Sequence, residues 1–547
     1  MSTYSSRGFI LNYFAVEREI LLRRLGSVKT NYHQDFCCID STRKFLLNQV
    51  ISWATKEPGQ NEGSNTYWIY GMPGIGKTAL AHSICATLHE RNHLAGAFFC
   101  RRDVGYLNEP RNILPTLIHK LAIIFPPFRR LVAECLRGDP NLIPGSIKPF
   151  LLLGLIRKLP CPPKRALVFV IDAVDECGDA FTRPWVLRAL THATAHAPWL
   201  RIIITSRPEV DIRHFFDSLA GSSHARYDLA TDKEALSNLQ SFALIRFKLV
   251  ESNQSRPCGW PDSPLFDQVT SRAAGLFIFI ETIARALAQC KPPPNEYLEA
   301  TLTDLEGTGL TSLYGLYLSI LKAQIVHSTV EFQRVIGVIL VAAPHRPLRD
   351  ETIAELAGVN LDLVTMWVTD LDPLLYRDTE ANGGIRVRHS SIMDFFLSDD
   401  CHSDYHVNLQ DANVELGIAC LRKMNEQLCF NICKLEDSRL ANADVRNLQL
   451  RVKENISDVL QYSVLYWSNH LCFDGDSSDQ RVCNSLRGFF EGPYVLFWIE
   501  ALSVMGMVPI GAPSLRRVRL TVAKVSTSVA CISLHLKVNL IWCRMST

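Results

Sequence analysis

The sequence predicts a multidomain α/β plus α protein: a parallel sheet flanked by helices, followed by helical and winged-helix modules. Three observations predict it. Thr66-Tyr67-Trp68-Ile69-Tyr70 is aromatic, β-branched and apolar, and runs into a glycine-rich turn and then a helical pattern. Ala166-Leu167-Val168-Phe169-Val170-Ile171 is a continuous apolar run, suited to a strand buried on both faces of a parallel sheet, and Arg201-Ile202-Ile203-Ile204 reads as another buried strand. Beyond residue 230 the pattern is mostly helical, and two short helices and a hairpin-like end follow between Glu331 and Asp400.

The turn after the first strand reads Gly71-Met72-Pro73-Gly74-Ile75-Gly76-Lys77-Thr78. This is a complete G-x-x-x-x-G-K-[ST] phosphate-binding loop. Its glycines let the backbone turn its N–H groups toward phosphate oxygens. Lys77 supplies a point charge for the β- and γ-phosphates, and the Thr78 hydroxyl is a ligand for Mg²⁺. A helix is expected from Ala79 to Asn92, with Leu80, Ile84 and Leu88 on one face and its N-terminus under the phosphates. The candidate nucleotide-binding residues are Gly71, Met72, Pro73, Gly74, Ile75, Gly76, Lys77, Thr78 and Ala79.

The second apolar run ends in Asp172-Ala173-Val174-Asp175-Glu176. Open α/β sheets place ligands at the carboxyl ends of their strands. Asp172 is therefore expected to hold Mg²⁺ through water, and Asp175 and Glu176 to orient or deprotonate an attacking water. The third run ends in Thr205-Ser206-Arg207. Arg207 is placed to sense the γ-phosphate and stabilise transferred charge.

These pieces resemble the NACHT branch of the signal-transducing P-loop NTPases (STAND proteins). "DAVDEC" (Asp172 to Cys177) resembles the family's acidic box and "ITSRPE" (Ile204 to Glu209) its sensor strand. The likeness is closest to fungal NLR-like proteins of heterokaryon-incompatibility type, and covers roughly residues 35 to 505. "AGAFFCRRD" (Ala95 to Asp103), "AAGLFIFIETIAR" (Ala273 to Arg285), "LYGLYLSIL" (Leu313 to Leu321), "VRHSSIMDFFLSD" (Val387 to Asp399), "CLRKMNEQLCFNIC" (Cys420 to Cys433) and "VLYWSNHL" (Val464 to Leu471) carry it past the loop and the box. Cys38-Ile39-Asp40-Ser41-Thr42-Arg43 resembles the "C-x-G-T-R" lead-in that lies near the base, with Asp40-Ser41 in place of the x-Gly step. The resemblance implies that His389 reaches the β-phosphate of ADP. It also implies partnership with further copies or with homologous NLR-like proteins.

With 547 residues the chain has room for three or four domains. The expected divisions are 1–35, a short helical segment; 36–66, a lead-in and polar linker; 67–230, the NTPase core; 231–325, helical; 326–400, winged-helix-like; 401–472, helical; and 473–547, a linker, an apolar helix and a divergent tail. A hydrophobic content of 47% with 20% charged residues suits real cores and argues against disorder. The formal charge of +2 implies no nucleic-acid partner, and Asn360 to Asp370, the candidate recognition segment, has no Lys or Arg. Seventeen scattered cysteines read as reduced thiols in a cytoplasmic setting. No signal peptide is read in the first residues. Pro493 to Ile510 is nearly all apolar but carries Glu500 at its centre, so a buried helix is expected rather than a span. Residues 511 to 547 show no WD40-type repeat.

One motif points elsewhere. His89-Glu90-Arg91-Asn92-His93 matches the H-E-x-x-H helix of zinc proteases. It falls at the end of the loop helix, and the one downstream candidate for a third ligand, Glu109, precedes a proline. A solvated helix end is the expectation.

The function expected is a nucleotide-dependent switch, ATP or GTP with Mg²⁺ and slow hydrolysis, in fungal innate-immune or self/non-self recognition. Two alternatives stand beside it: a truncated, non-enzymatic NLR-like interaction protein, and a constitutive P-loop ATPase.

Overall fold

The computed structural model describes residues 24–39, 42–58, 65–138, 151–219, 224–253, 262–290, 294–325, 328–437, 440–471 and 480–525. The expectations for residues 1–23, Asp40-Ser41, most of the 56–65 linker, the loop at 291–293, the 474–479 linker and the tail from 526 lie outside those residues. The chain forms two compact units, one of residues up to Ser319 joined by His389–Ser391, the other of Ile320–Arg388 and the residues from Ile392 on.

The first unit is built on a five-stranded parallel sheet: β1 (Thr66–Tyr70), β2 (Leu94–Phe99), β3 (Leu167–Asp172), β4 (Leu200–Ser206) and β5 (Ala225–Asp228), in spatial order β2-β3-β4-β1-β5. Every residue of β3 and β4 is buried, the apolar ones as their composition requires and Arg201, Thr205, Ser206 and Asp172 through hydrogen bonds. The pleat sends alternate side chains to opposite faces. Trp68, Phe98, Phe169, Ile202 and Ile204 share one core with the helices α3 (Ile113–Ile124), α4 (Pro126–Gly138), α5 (Leu151–Arg157), α6 (Arg183–Ala195) and α7 (Val210–Ser218). Two more helices, α1 (Lys44–Thr55) and α2 (Lys77–Glu90), pack together, and α2, which follows the loop after β1, packs on β2, β3 and β4. Trp68 stacks on Phe216 with ring centroids 4.4 Å apart, and its indole N–H donates to Ser206 Oγ at 2.8 Å. The guanidinium of Arg201 is buried without a carboxylate partner among the described residues. It donates instead to Trp53 O at 2.8 Å and Glu57 O at 3.3 Å, at the end of α1, and burial lowers its pKa to about 10.

Five helices complete the unit's order along the chain: α8 (Ala235–Asn253), α9 (Ser263–Ala273), α10 (Phe277–Gln289), α11 (Pro294–Asp304) and α12 (Leu310–Gln324), the last passing into the second unit. The loop helix differs from its expected bounds. Gly76 at φ 92 is its N-cap, so Lys77 and Thr78 already lie in the first turn, and it ends at Glu90 rather than Asn92. Asn92 has turned to φ 60 and His93 Nδ1 lies 2.7 Å from Ala166 O, so His89 and His93 do not share a helix turn. No group of three metal-ligating side chains occurs among the described residues.

The second unit opens with α13 (Thr329–Ala342), α14 (Asp350–Ala357) and α15 (Leu361–Asp370). Gly358 in the left-handed region ends α14, and the Asn360 carboxamide accepts from Asp362 N to start α15. An antiparallel hairpin follows, β6 (Leu375–Asp378) with β7 (Gly384–Val387). The helices α16 (Ser390–Leu397), α17 (Leu409–Gln427), α18 (Leu448–Asn455), α19 (Asp458–Tyr466), α20 (Gln480–Glu491), α21 (Tyr494–Val504) and α22 (Gly511–Val525) come after it. The apolar stretch 493–510 is not one helix. It breaks after Val504 into a turn of 3₁₀ helix, and Glu500 accepts from Asn431 N and Ile432 N. No helix among the described residues is long and apolar enough to cross a membrane.

His470 is buried in this unit with both ring nitrogens engaged, by Tyr462 Oη at 2.8 Å and Asn413 Oδ1 at 2.9 Å. His345 stands edge-on to it and stacks on Tyr466. Burial lowers the His345 pKa to about 4. The folded chain therefore refuses a proton that the unfolded chain accepts near 6.5. Stability is expected to fall as pH drops from about 6.5 to about 4, and His345→Gln to flatten part of that loss. Thermal melts followed by circular dichroism between pH 7 and pH 4.5 check it.

Candidate functional site

The in-register pairing of β1 with β4 and of β4 with β3 brings the carboxyl ends of the three strands together. The loop after β1 is tied to that edge by Gly71 N, which donates to Ser206 O at 3.3 Å. Gly74 at φ +79 and Gly76 at φ +92 hold a backbone conformation that a Cβ would strain. A Cβ on Gly74 would sit 2.1 Å from Ile278 Cγ2. The Lys77 ammonium donates to Gly71 O at 2.8 Å and to Met72 O at 2.9 Å, so it arches back over the loop it follows. Burial lowers its pKa, opposed by the charge of Asp175.

Asp172 ends β3 with its carboxylate buried. Burial raises its pKa to about 6, against hydrogen bonds from the hydroxyls of Thr205 and Thr78. Thr78 is thus beside Asp172, as a shared magnesium site requires. A serine-type hydroxyl and a carboxylate are hard oxygen donors of the kind Mg²⁺ takes alongside phosphate and water. The next residue, Ala173, is held at φ 53, with its N–H donating to Thr205 Oγ1 at 2.9 Å. A non-glycine residue in that region costs about 1 kcal/mol, and the turn it makes directs the following acids back to the strand ends.

Those acids are not equivalent. Asp175 is committed to Arg207: Oδ1 accepts its backbone N–H at 2.9 Å and Oδ2 lies 3.2 Å from Nε. Arg183 adds a bond to Asp175 O at 3.1 Å and pairs with Asp211. Burial raises the pKa of Glu176, and the charge of Arg102 opposes it. The hydroxyl of Ser390 bonds to Glu176 and accepts from Arg207 Nη2 at 3.0 Å. His389, beside it, takes Ser391 N–H at 3.1 Å and Ser391 Oγ at 2.7 Å on Nδ1, which places the ring proton on Nε2. Thus Lys77, Thr78, Asp172, Asp175, Glu176 and Arg207 gather at one edge. Thr205 and Ser390, which organise Asp172 and Glu176, escaped the sequence reading because a lone hydroxyl carries no pattern.

A parallel sheet with this loop after β1 and an acid ending β3 defines a P-loop NTPase fold. The family described as Nephrocystin 3, N-terminal, matches residues 41–207, from the lead-in to Arg207. No curated protein matches the chain. A Walker-type ATPase of Pyrococcus abyssi is similar over 68% of this chain and 99% of its own, at 13% identity and TM-score 0.32. The Orc1 protein of Aeropyrum pernix, solved in complex with DNA, is similar over 65% of this chain and 93% of its own, at 12% identity and TM-score 0.30. RuvB of Thermotoga maritima reaches 11% identity and TM-score 0.23 over 65% of this chain and 94% of its own.

Gly74→Ala is expected to destabilise the chain by about 2–4 kcal/mol, the sum of left-handed strain and a side-chain clash. Ile278→Ala in the same chain should recover the clash but not the strain. Urea denaturation midpoints of the two variants and the parent check this.

Proposed function

We propose that the chain is a nucleotide-operated signalling switch of NACHT type, binding ATP or GTP with Mg²⁺ and hydrolysing it slowly. The observation that carries this reading is the meeting of Lys77 and Thr78 with Asp172 at the ends of β1 and β3. The loop from Gly71 to Ala79 would cradle the phosphates, with N–H groups from Gly74 onward, and Lys77 would leave its two carbonyl acceptors to take phosphate oxygens. Thr78 and Asp172 would hold Mg²⁺, which would supply charge neutralisation at the phosphates.

The roles of the remaining residues divide by their partners. Asp175 serves as the anchor of Arg207, since both of its oxygens are spent on that residue. Glu176, with its raised pKa and only a long 3.5 Å backbone bond, from Arg102 N to Oε2, is the better acceptor for a proton from water. Arg207 senses the γ-phosphate. His389, protonated on Nε2, is a donor for a phosphate oxygen of the resting, diphosphate-bound state. Slow turnover fits a switch, because Glu176 and Arg207 are both engaged by Ser390 and must be released before they act. The second unit's three helices and hairpin are suited to a winged-helix regulatory module, and self/non-self recognition in a fungal cell is the setting the sequence resemblance favours.

The test begins with the purified chain, denatured so that any held nucleotide is released and identified by chromatography. ADP or GDP is expected, and is expected to be absent from Lys77→Ala. Unchanged nucleotide binding in Lys77→Ala would sink the reading. Glu176→Gln should lower turnover at least tenfold while leaving binding within about threefold. The raised pKa of Asp172 fixes the sign of the pH effect: its ionised form, which Mg²⁺ needs, prevails only above about 6. Mg²⁺ affinity of the nucleotide-loaded chain should fall about tenfold for each pH unit below that point. Asp172→Asn should bind Mg²⁺ weakly with no such slope.

A further inference from the structure

Arg43 is an expensive residue in its place. It has φ 57 at the N-cap of α1, a region that disfavours side chains. Its guanidinium is buried in an ion pair with Asp232, the two side chains 3% and 4% exposed. Desolvating such a pair costs several kcal/mol per ion, as an order of magnitude, before any attraction is counted. The same guanidinium lies 5.5 Å from the ring centre of Phe277 and donates through Nη2 to Ile75 O at 3.1 Å. The Arg43 N–H donates to Asn238 Oδ1 at 3.0 Å, while the buried Asn238 Nδ2 finds no acceptor among the described residues.

Ile75 lies between the two left-handed glycines of the phosphate loop. In a trans peptide the C=O and the following N–H point in opposite directions. Holding the Ile75 carbonyl therefore aims the Gly76 N–H away from Arg43. The neighbouring peptide is held in the same fashion: Ile278 N donates to Gly74 O at 3.3 Å, which aims the Ile75 N–H. Two successive N–H groups fixed from behind make an anion-binding nest.

We propose that Arg43, held by Asp232, is a positioning residue that orients the Gly76 N–H toward the phosphate chain of the bound nucleotide. This rests on the nucleotide-binding reading above. Arg43 itself touches no phosphate. It acts through the Ile75 carbonyl, and its contribution scales with the number of phosphates that the nest receives.

Two variants test it on the full chain. Arg43→Lys keeps a charge for Asp232 but has no fork to reach the Ile75 carbonyl as well. Arg43→Met with Asp232→Leu replaces the buried pair by apolar side chains of similar bulk, a change that folded proteins tolerate. Affinities for ADP, GDP and the matching monophosphates are measured by titration calorimetry, with melting temperatures of the nucleotide-free proteins alongside. Both variants are expected to melt close to the parent and to bind the diphosphate about tenfold more weakly, a loss typical of one charge-assisted hydrogen bond. The monophosphate should lose much less, so the ratio of diphosphate to monophosphate affinity falls. Parental diphosphate affinity in Arg43→Lys and in the double variant overturns the proposal, as does an equal loss for both ligands. If the parent chain binds neither ADP nor GDP, and Lys77→Ala behaves like it, the nucleotide reading itself has failed and the inference falls with it.

Discussion

The site depends on how one buried carboxylate is accommodated. Asp172 ends a strand whose every residue is buried, in a place where a negative charge is costly. Two hydroxyls, Thr205 and Thr78, bond to it, and the nearby Lys77 charge favours its ionised form. That arrangement holds the charge by hydrogen bonds and a nearby charge rather than by a direct ion pair among the described residues. It also explains the local backbone. Thr205 bonds both the Asp172 side chain and the Ala173 N–H, so the same hydroxyl that stabilises the charge bends the chain into its left-handed turn. The bend returns Asp175 to the end of β4, where it takes hold of Arg207.

Much of this was legible in the sequence, for physical reasons that can be named. The loop is recognisable because phosphate binding demands glycines, a lysine and a hydroxyl at fixed steps. The strands β1, β3 and β4 are recognisable because burial on both faces fills their middles with apolar residues and confines polar ones to their ends. The helix after the loop was misplaced by two residues because sequence gives the capping glycine no mark that distinguishes it from the loop's other glycines. The 493–510 segment reads as one helix because Glu500 is its only charged residue. The break after Val504 depends on Gly506 taking φ 70, which hydrophobic content does not report.

What stayed hidden are contacts between residues distant in sequence. Asp175 and Glu176 are adjacent acids with the same side-chain chemistry class, and only the fold gives one to Arg207 and the other to Ser390. Arg43 and Asp232 are separated by most of the first unit. Nothing in either neighbourhood suggests an ion pair, and still less that the pair bears on the Ile75 carbonyl. Arg201 offers the reverse case. It sits at the start of a strand where a solvated end would be assumed, yet it is buried and bound to carbonyls of α1.

The membership of His389–Ser391 in the first unit has a consequence for how the chain is made. A ribosome delivers the loop, the acidic turn and Arg207 long before it delivers Ser390. Between them it must release α13 to α15 and the hairpin, all of which belong to the second unit. During that interval Glu176 and Arg207 stand without the hydroxyl that later engages both. The nascent sheet thus lacks these contacts, and they arrive only with the folding of a segment whose neighbours on both sides belong to the other unit. Order of synthesis, rather than sequence alone, sets when the finished protein first comes to rest.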